Sequence, residues 1–151
     1  MELHLVHTRH GKSISESLVE GGIAVVAVLF DASYLRNAAL EDVFMSHLED
    51  ICAKGSSSTL AKPFRIGDLL PEARDAAAMY RGSLTTPPCV PGSVIWIVMS
   101  QIQYVSAQQM QTLRNSLSTN KRCGHHILQN NVRPLQKLNK RFIHYFYPVD
   151  D

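Results

Sequence analysis

The chain has 151 residues, 45% apolar and 19% charged, the makeup of one globular domain long enough to bury a sizeable core. A formal net charge of +2 gives no support to nucleic acid as a partner, and the basic clusters Lys121-Arg122 and Lys137 to Arg141 are short and mixed with apolar residues, as on a solvated face. The longest apolar run, Ile23 to Phe30, falls short of the roughly 20 residues that a membrane-spanning helix requires, so no membrane span is expected.

The opening segment, Met1-Glu2-Leu3-His4-Leu5-Val6-His7, reads as a strand. Its even positions share one face, so Glu2, His4 and Val6 point one way while Leu3, Leu5 and His7 point the other. His10 to Glu20 is a polar connection. After Gly21-Gly22, the unbroken apolar run from Ile23 to Phe30 predicts a central strand covered on both faces. Residues Asn37 to Ala53 carry Leu40, Val43, Phe44, Met45, Leu48 and Ile51 near helical spacing, with Asn37 as N-cap and Gly55 as stop. Ser56-Ser57-Ser58 is a loop, Pro63 to Ile66 a short extended piece, and Asp68 to Glu72 a turn-rich segment. Val94 to Met99 is a strand carrying the sole tryptophan, Trp96. Ser106 to Leu117 is a helix capped by Ser106, and Arg141 to Tyr147 is a late strand. No repeat or linker divides the chain.

Cys52, Cys89 and Cys123 make an odd count without C-x-x-C spacing, which argues against a zinc ribbon or a redox pair and leaves at least one thiol unpaired within the chain. The first residues show neither the basic region nor the apolar stretch of a secretory leader. Two places carry chemistry. A neutral imidazole is a good metal ligand when a carboxylate holds its other ring proton, and Glu2 is placed to do that for His4. On its own, however, a single strand histidine is more often a hydrogen-bonded core residue, and His7, His10, His47, His125, His126 and His144 lack ligand spacing relative to it. The second place is Leu84-Thr85-Thr86-Pro87-Pro88, where two hydroxyls precede a stiff turn. Each hydroxyl both donates and accepts, which suits orienting a bound oxygen species; the plain alternative is a structural turn.

In order along nearly its whole length, the chain carries Glu2-Leu3-His4-Leu5-Val6-His7, Gly22-Ile23-Ala24-Val25, Leu69-Leu70-Pro71, Gly82-Ser83-Leu84-Thr85-Thr86-Pro87-Pro88-Cys89, Trp96-Ile97-Val98 and Asn130-Asn131-Val132-Arg133-Pro134-Leu135-Gln136. Through these strings it resembles the α-class carbonic anhydrases, zinc lyases that hydrate carbon dioxide to bicarbonate. The resemblance implies a mainly β (α+β) fold: a large, twisted, mostly antiparallel sheet with a few peripheral helices, here a single partial domain over 1–151, truncated at its N-terminus. It implies that His4 is a zinc ligand, Glu2 its supporting carboxylate, Thr85 the threonine that takes the proton of zinc-bound hydroxide, and Thr86 its neighbour at the bicarbonate site. Val6, Val25, Leu84 and Trp96 then match the apolar wall where carbon dioxide rests. Sulfonamide-type inhibitors bind the complete domain of that family.

The family uses three histidine ligands, and the other two precede the strand that opens here. The expectation is therefore that the 151 residues alone bind zinc weakly or not at all and are inactive. Cys89 matches a cysteine that pairs upstream in extracellular members, which implies a secreted or membrane-anchored parent. Departures from the family pattern include Pro91-Gly92, Val132 and Ala76-Ala77-Ala78. Three readings follow: a C-terminal part of a zinc enzyme, a noncatalytic carbonic-anhydrase-related binding module, or a short protein that uses its remaining sheet as an interaction surface. Retention of His4, Glu2 and Thr85 together favours the first. A sheet cut along its strands would leave unpaired backbone, which speaks against the third.

Overall fold

A computed structural model describes residues 1–148, and these form two compact units, each assembled from segments distant in sequence. Strands β1 (Glu2–Thr8), β2 (Ile23–Ser33), β3 (Ala77–Gly82), β4 (Val94–Met99), β5 (Gln103–Ser106) and β6 (Ile143–Phe146) carry most of the regular structure. Three short α-helices complete it: α1 (Ala38–Val43), α2 (Leu48–Ile51) and α3 (Ala107–Ser116).

The first unit, residues 2–29, 71–102 and 133–148, is built on the strand order β1-β2-β4-β3-β6. β1 pairs antiparallel with β2, β2 parallel with β4, and β3 antiparallel with both β4 and β6. The fold is thus mainly β, as expected, and the sheet is mixed. β2 lies between β1 and β4, and its alternate residues Ile23, Val25 and Ala27 are buried at 3% exposure or less. They join Val94 and Trp96 in a core against which Leu18, Tyr80, Leu84 and Val98 pack. This is the burial that an unbroken apolar run demands.

The second unit comprises Met1 and residues 30–70 and 103–132. Here the end of β2, from Phe30 to Ser33, pairs parallel with β5. Asn37 caps α1, its side-chain oxygen accepting from the Leu40 backbone N–H at 3.0 Å. Ser106 caps α3 in a reciprocal box with Gln109. A disulfide joins Cys52 to Cys123 and leaves Cys89 free, in keeping with the odd cysteine count.

Four expectations need correction. The helix read over 37–53 is broken into α1, a 3-10 turn at Met45–His47 and α2. Ser46 Oγ donates to the Asp42 carbonyl at 3.1 Å and His47 N–H to the Phe44 carbonyl at 3.1 Å, bonds that compete with a regular ladder. Pro63 to Ile66 finds no strand partner among the described residues, and a 3-10 turn starts at Ile66. The 10–20 connection is more ordered than its polarity suggested, with a 3-10 turn at Ser15–Ser17. Finally, β3 and β5 are strands that the sequence reading did not assign.

Candidate active site

Pairing registers in the first unit bring the site together. Val6 faces Val25 across the β1–β2 ladder, Val25 faces Trp96 across β2–β4, and Trp96 faces Tyr80 across β4–β3. Directly paired residues point to the same side of a pleated sheet, so four strands present one row of side chains. His4, one pleat along β1 on the same face as Val6, meets the edge of the Trp96 ring at 4.8 Å between centroids. Tyr80 stacks on Trp96 from the other side at 6.4 Å. Burial raises the Tyr80 hydroxyl above the ordinary tyrosine pKa, opposed by the Arg141 cation and reinforced by Glu2.

Leaving β3, the chain turns over this row. Gly82 is required there, because a Cβ would stand 2.9 Å from Trp96 Cδ1. The Trp96 indole N–H donates to the Ser83 carbonyl at 3.1 Å. Arg133 Nη1 donates to Ser83 Oγ at 2.7 Å and to the Leu84 carbonyl at 3.3 Å. Three separate strings of the sequence thereby fix the position of Leu84, Thr85 and Thr86. The turn continues with the Cys89 backbone N–H donating to the Thr86 carbonyl at 3.2 Å.

The result is a cavity of about 500 Å³ lined by His4, Val6, Val25, Leu84, Thr85, Thr86 and Trp96, together with Ile14, Ser15, Leu18, Pro87 and Pro88. Seven of the eight residues singled out in the sequence line it. The eighth, Glu2, stands behind His4, its Oε2 3.0 Å from the imidazole Nε2. Since a carboxylate accepts, that contact puts the proton on Nε2 and leaves Nδ1 as the lone-pair nitrogen. Ile14, Ser15 and Leu18 were missed because the 10–20 connection looked uniformly polar. A signal was present: Ser13 and Glu16 form a reciprocal cap, Ser13 N–H to Glu16 Oε2 at 2.9 Å and Glu16 N–H to Ser13 Oγ at 3.3 Å, with Ile14 and Leu18 one turn apart. The Ser13 N–H and the Ser13 hydroxyl, both donating to Glu16 Oε2, and then Lys12 hold the Glu16 carboxyl below the usual glutamate range.

A zinc ion in a catalytic site takes three protein ligands. Here one imidazole has a suitable free nitrogen, and among the described residues no group of three His, Cys, Asp or Glu side chains could hold a metal ion. The residues present do not by themselves fit the metal.

A mixed β-sheet thus bears a largely apolar cavity edged by two hydroxyls and one carboxylate-held imidazole. Comparison with known proteins narrows the class. A family model of the eukaryotic-type carbonic anhydrases matches residues 1–147. Carbonic anhydrase 6 from Bos taurus is 34% identical over 145 residues, which cover 95% of this chain and 44% of that protein. Carbonic anhydrase 12 from Homo sapiens is 34% identical over 152 residues, 95% of this chain and 41% of its own length. Putative carbonic anhydrase 5 from Caenorhabditis elegans is 37% identical over 145 residues, 95% and 45% respectively. The chain belongs to the eukaryotic-type carbonic anhydrase family and spans less than half the length of these three relatives. The family in general is zinc-dependent and acts on carbon dioxide and bicarbonate.

Proposed function

We propose that the cavity is the carbon-dioxide-facing part of a carbonic anhydrase site, and that the 151 residues are part of one such domain. In this reading His4 offers Nδ1 to zinc, Glu2 fixes its tautomer, and Thr85 and Thr86 supply the hydroxyls beside the reacting oxygen. Val6, Val25, Leu84 and Trp96 form the wall against which carbon dioxide rests. One observation supports this above others: seven residues drawn from four separate segments line a single cavity. Carbon dioxide is uncharged and nonpolar, so an apolar wall holds it without stripping tightly bound water from either partner. The clamp of Trp96 and Arg133 on Ser83 and Leu84 limits where the Thr85 hydroxyl can point.

The chain alone is expected to be catalytically silent. Losing a partner behind a ligand costs about 10–100-fold in metal affinity or activity, and a site with one imidazole lacks two of the ligands themselves. The test is the purified chain assayed for carbon dioxide hydration with and without acetazolamide, alongside its zinc stoichiometry. No hydration and clearly substoichiometric zinc are expected; sulfonamide-sensitive turnover by the chain would overturn the inactivity. Residual cobalt or zinc binding that survives His4→Ala unchanged would remove His4 from the ligand role. A full-length protein that binds no zinc would favour the noncatalytic module instead.

An extracellular or membrane-anchored parent fits the same reading. Disulfides persist in oxidising compartments, and Cys52 and Cys123 are bonded while Cys89 remains available for a partner outside these residues. No helix among the described residues is long and apolar enough to cross a membrane.

A further inference from the structure

Lysine is followed directly by arginine at two places in the chain, Lys121-Arg122 and Lys140-Arg141, and the structure treats the two pairs differently. The Arg141 guanidinium is engaged on every side. Its Nε and Nη2 donate to the carbonyls of Leu138 and Lys137, both at 2.8 Å, its Nη1 donates to the Arg81 carbonyl at 3.1 Å, and its carbon lies 6.0 Å from the centre of the Tyr80 ring. Lys121 and Arg122 instead belong to the run 121–126, in which every residue is exposed. Neither side chain makes a hydrogen bond, ion pair or ring contact among the described residues.

The loop carrying the free pair is closed at its base and nearly bare above it. Ser118 bridges Ile127, the Leu128 N–H donates to the Leu117 carbonyl at 2.7 Å, and the Thr119 N–H donates to the His126 carbonyl at 2.9 Å. Above these bonds the Asn120 carbonyl accepts from the Lys54 N–H at 2.7 Å, and Asn120 Oδ1 accepts from the Arg122 N–H at 2.9 Å. A backbone with so few ties opens locally at low cost, which is what a protease requires before it can hold the chain extended. Beyond the pair the chain is anchored again. Cys123 is bonded to Cys52, Arg133 donates to Ser83 Oγ and the Leu84 carbonyl, and β6 runs beside β3.

We propose that the Arg122–Cys123 bond is a limited-proteolysis site for a serine endoprotease whose acidic pockets take two successive basic side chains, and that the product is a two-chain molecule. One water is consumed. The C–N bond breaks, the water oxygen joins the Arg122 carbonyl carbon to give a carboxylate, and the Cys123 nitrogen takes a proton and becomes a new N-terminal amine. The pieces 1–122 and 123–151 stay joined by the bond between Cys52 and Cys123. This inference rests on neither zinc nor the cavity.

The experiment treats the intact chain, without denaturant, with limiting trypsin, which accepts any accessible Lys or Arg, and in parallel with kexin, which requires the pair. Products are read by mass spectrometry and on gels run with and without reductant. The first cut is expected between Lys121 and Cys123 with trypsin and at Arg122–Cys123 with kexin. The unreduced product should gain the mass of one water, run as one band, keep the Trp96 fluorescence of the intact chain, and part into two pieces on reduction. Lys121→Ser with Arg122→Ser alters two exposed side chains that touch nothing, so the urea midpoint should stay at wild type while cleavage at this loop slows about 100-fold or more. A first cut elsewhere, at Lys140-Arg141 above all, would overturn the proposal. So would no cut by kexin, cleavage that rises with urea in step with global unfolding, pieces that part without reductant, loss of the Trp96 signal on nicking, or a double variant cut as fast as wild type.

Discussion

Val6, Val25, Trp96 and Tyr80 stand in one row across four strands, and Val25 and Trp96, with Ile23, Ala27 and Val94 beside them on the same face, are apolar and almost fully buried. The unit containing α1, α2 and α3 has no such row. At its centre lies Gln109, 3% exposed, whose side chain accepts from the backbone N–H groups of Asn37 and Ser106 and donates to the Asn37 carbonyl and the Glu41 carboxylate. A disulfide closes a sequence separation of 71 residues around it. One region is held by the register of apolar side chains, the other by a satisfied polar hub and a covalent tie. The difference teaches where function sits: the cavity belongs to the region whose positions are fixed by ladder geometry, as a site needing close placement requires.

The largest effect should come from removing the middle of the row. Trp96→Ala deletes the indole that contacts His4, Tyr80 and the Gly82 backbone, and it leaves the Ser83 carbonyl without its donor. A loss of about 3–5 kcal/mol is expected, measured by urea unfolding followed by circular dichroism. A loss below about 1 kcal/mol, the level of an ordinary substitution, would mean that the row is not what holds the sheet.

Breaking the tie comes next. Reduction, or Cys52→Ser with Cys123→Ser, should cost about 2–4 kcal/mol, because a long loop regains its freedom in the unfolded chain. Hydrogen exchange should quicken first where Ser118 N–H meets the Cys52 carbonyl at 2.8 Å and Lys54 N–H meets the Asn120 carbonyl at 2.7 Å. If β4 amides quicken by the same factor, the two regions do not differ as described.

The same contrast explains what could be read from the residues alone. β1, β2 and β4 were legible because period-two and continuous apolar patterns have few alternatives, and α3 because Ser106 marks its cap. β3 was hidden by Ala76-Ala77-Ala78: alanine has little preference for strands, and pairing with β4 and β6 on both sides overrides it. The break in the 37–53 helix was hidden because Leu40 and Leu48 are buried under either conformation, whereas the Ser46 back-bond to Asp42 is a local contest that spacing does not record. The cavity was legible for its strand and threonine walls through the family resemblance. It was not for Ile14 and Leu18, whose apolar character was outvoted by polar neighbours. Nothing in spacing announced the pairing of Cys52 with Cys123.

The polar hub offers a smaller, sharper test. Gln109→Leu keeps the volume and deletes every side-chain hydrogen bond of this residue, leaving the Asn37 and Ser106 N–H groups to find another acceptor, while the Asn37 carbonyl keeps the Glu41 N–H at 3.1 Å. About 1–3 kcal/mol should be lost in thermal unfolding. A neutral or stabilising result would mean that packing, not polar satisfaction, organises this region as well, and the comparison would fail on that side.

The smallest effect is the pH dependence that Glu41 contributes at the hub. Hydrogen bonds from Gln109 and then from Arg36 hold the Glu41 carboxyl below the usual glutamate range, with Arg36 2.6 Å away in an ion pair that is partly open to solvent. A carboxyl depressed in the folded state contributes stability that is present above its ordinary pKa and lost as pH falls through its lowered folded value. Wild type should therefore exceed Glu41→Gln in urea midpoint at neutral pH, and the gap should close on acidification while the Trp96 row, which contains no carboxylate, keeps its contacts. A gap that stays constant with pH would show that Glu41 acts through shape and hydrogen bonding alone.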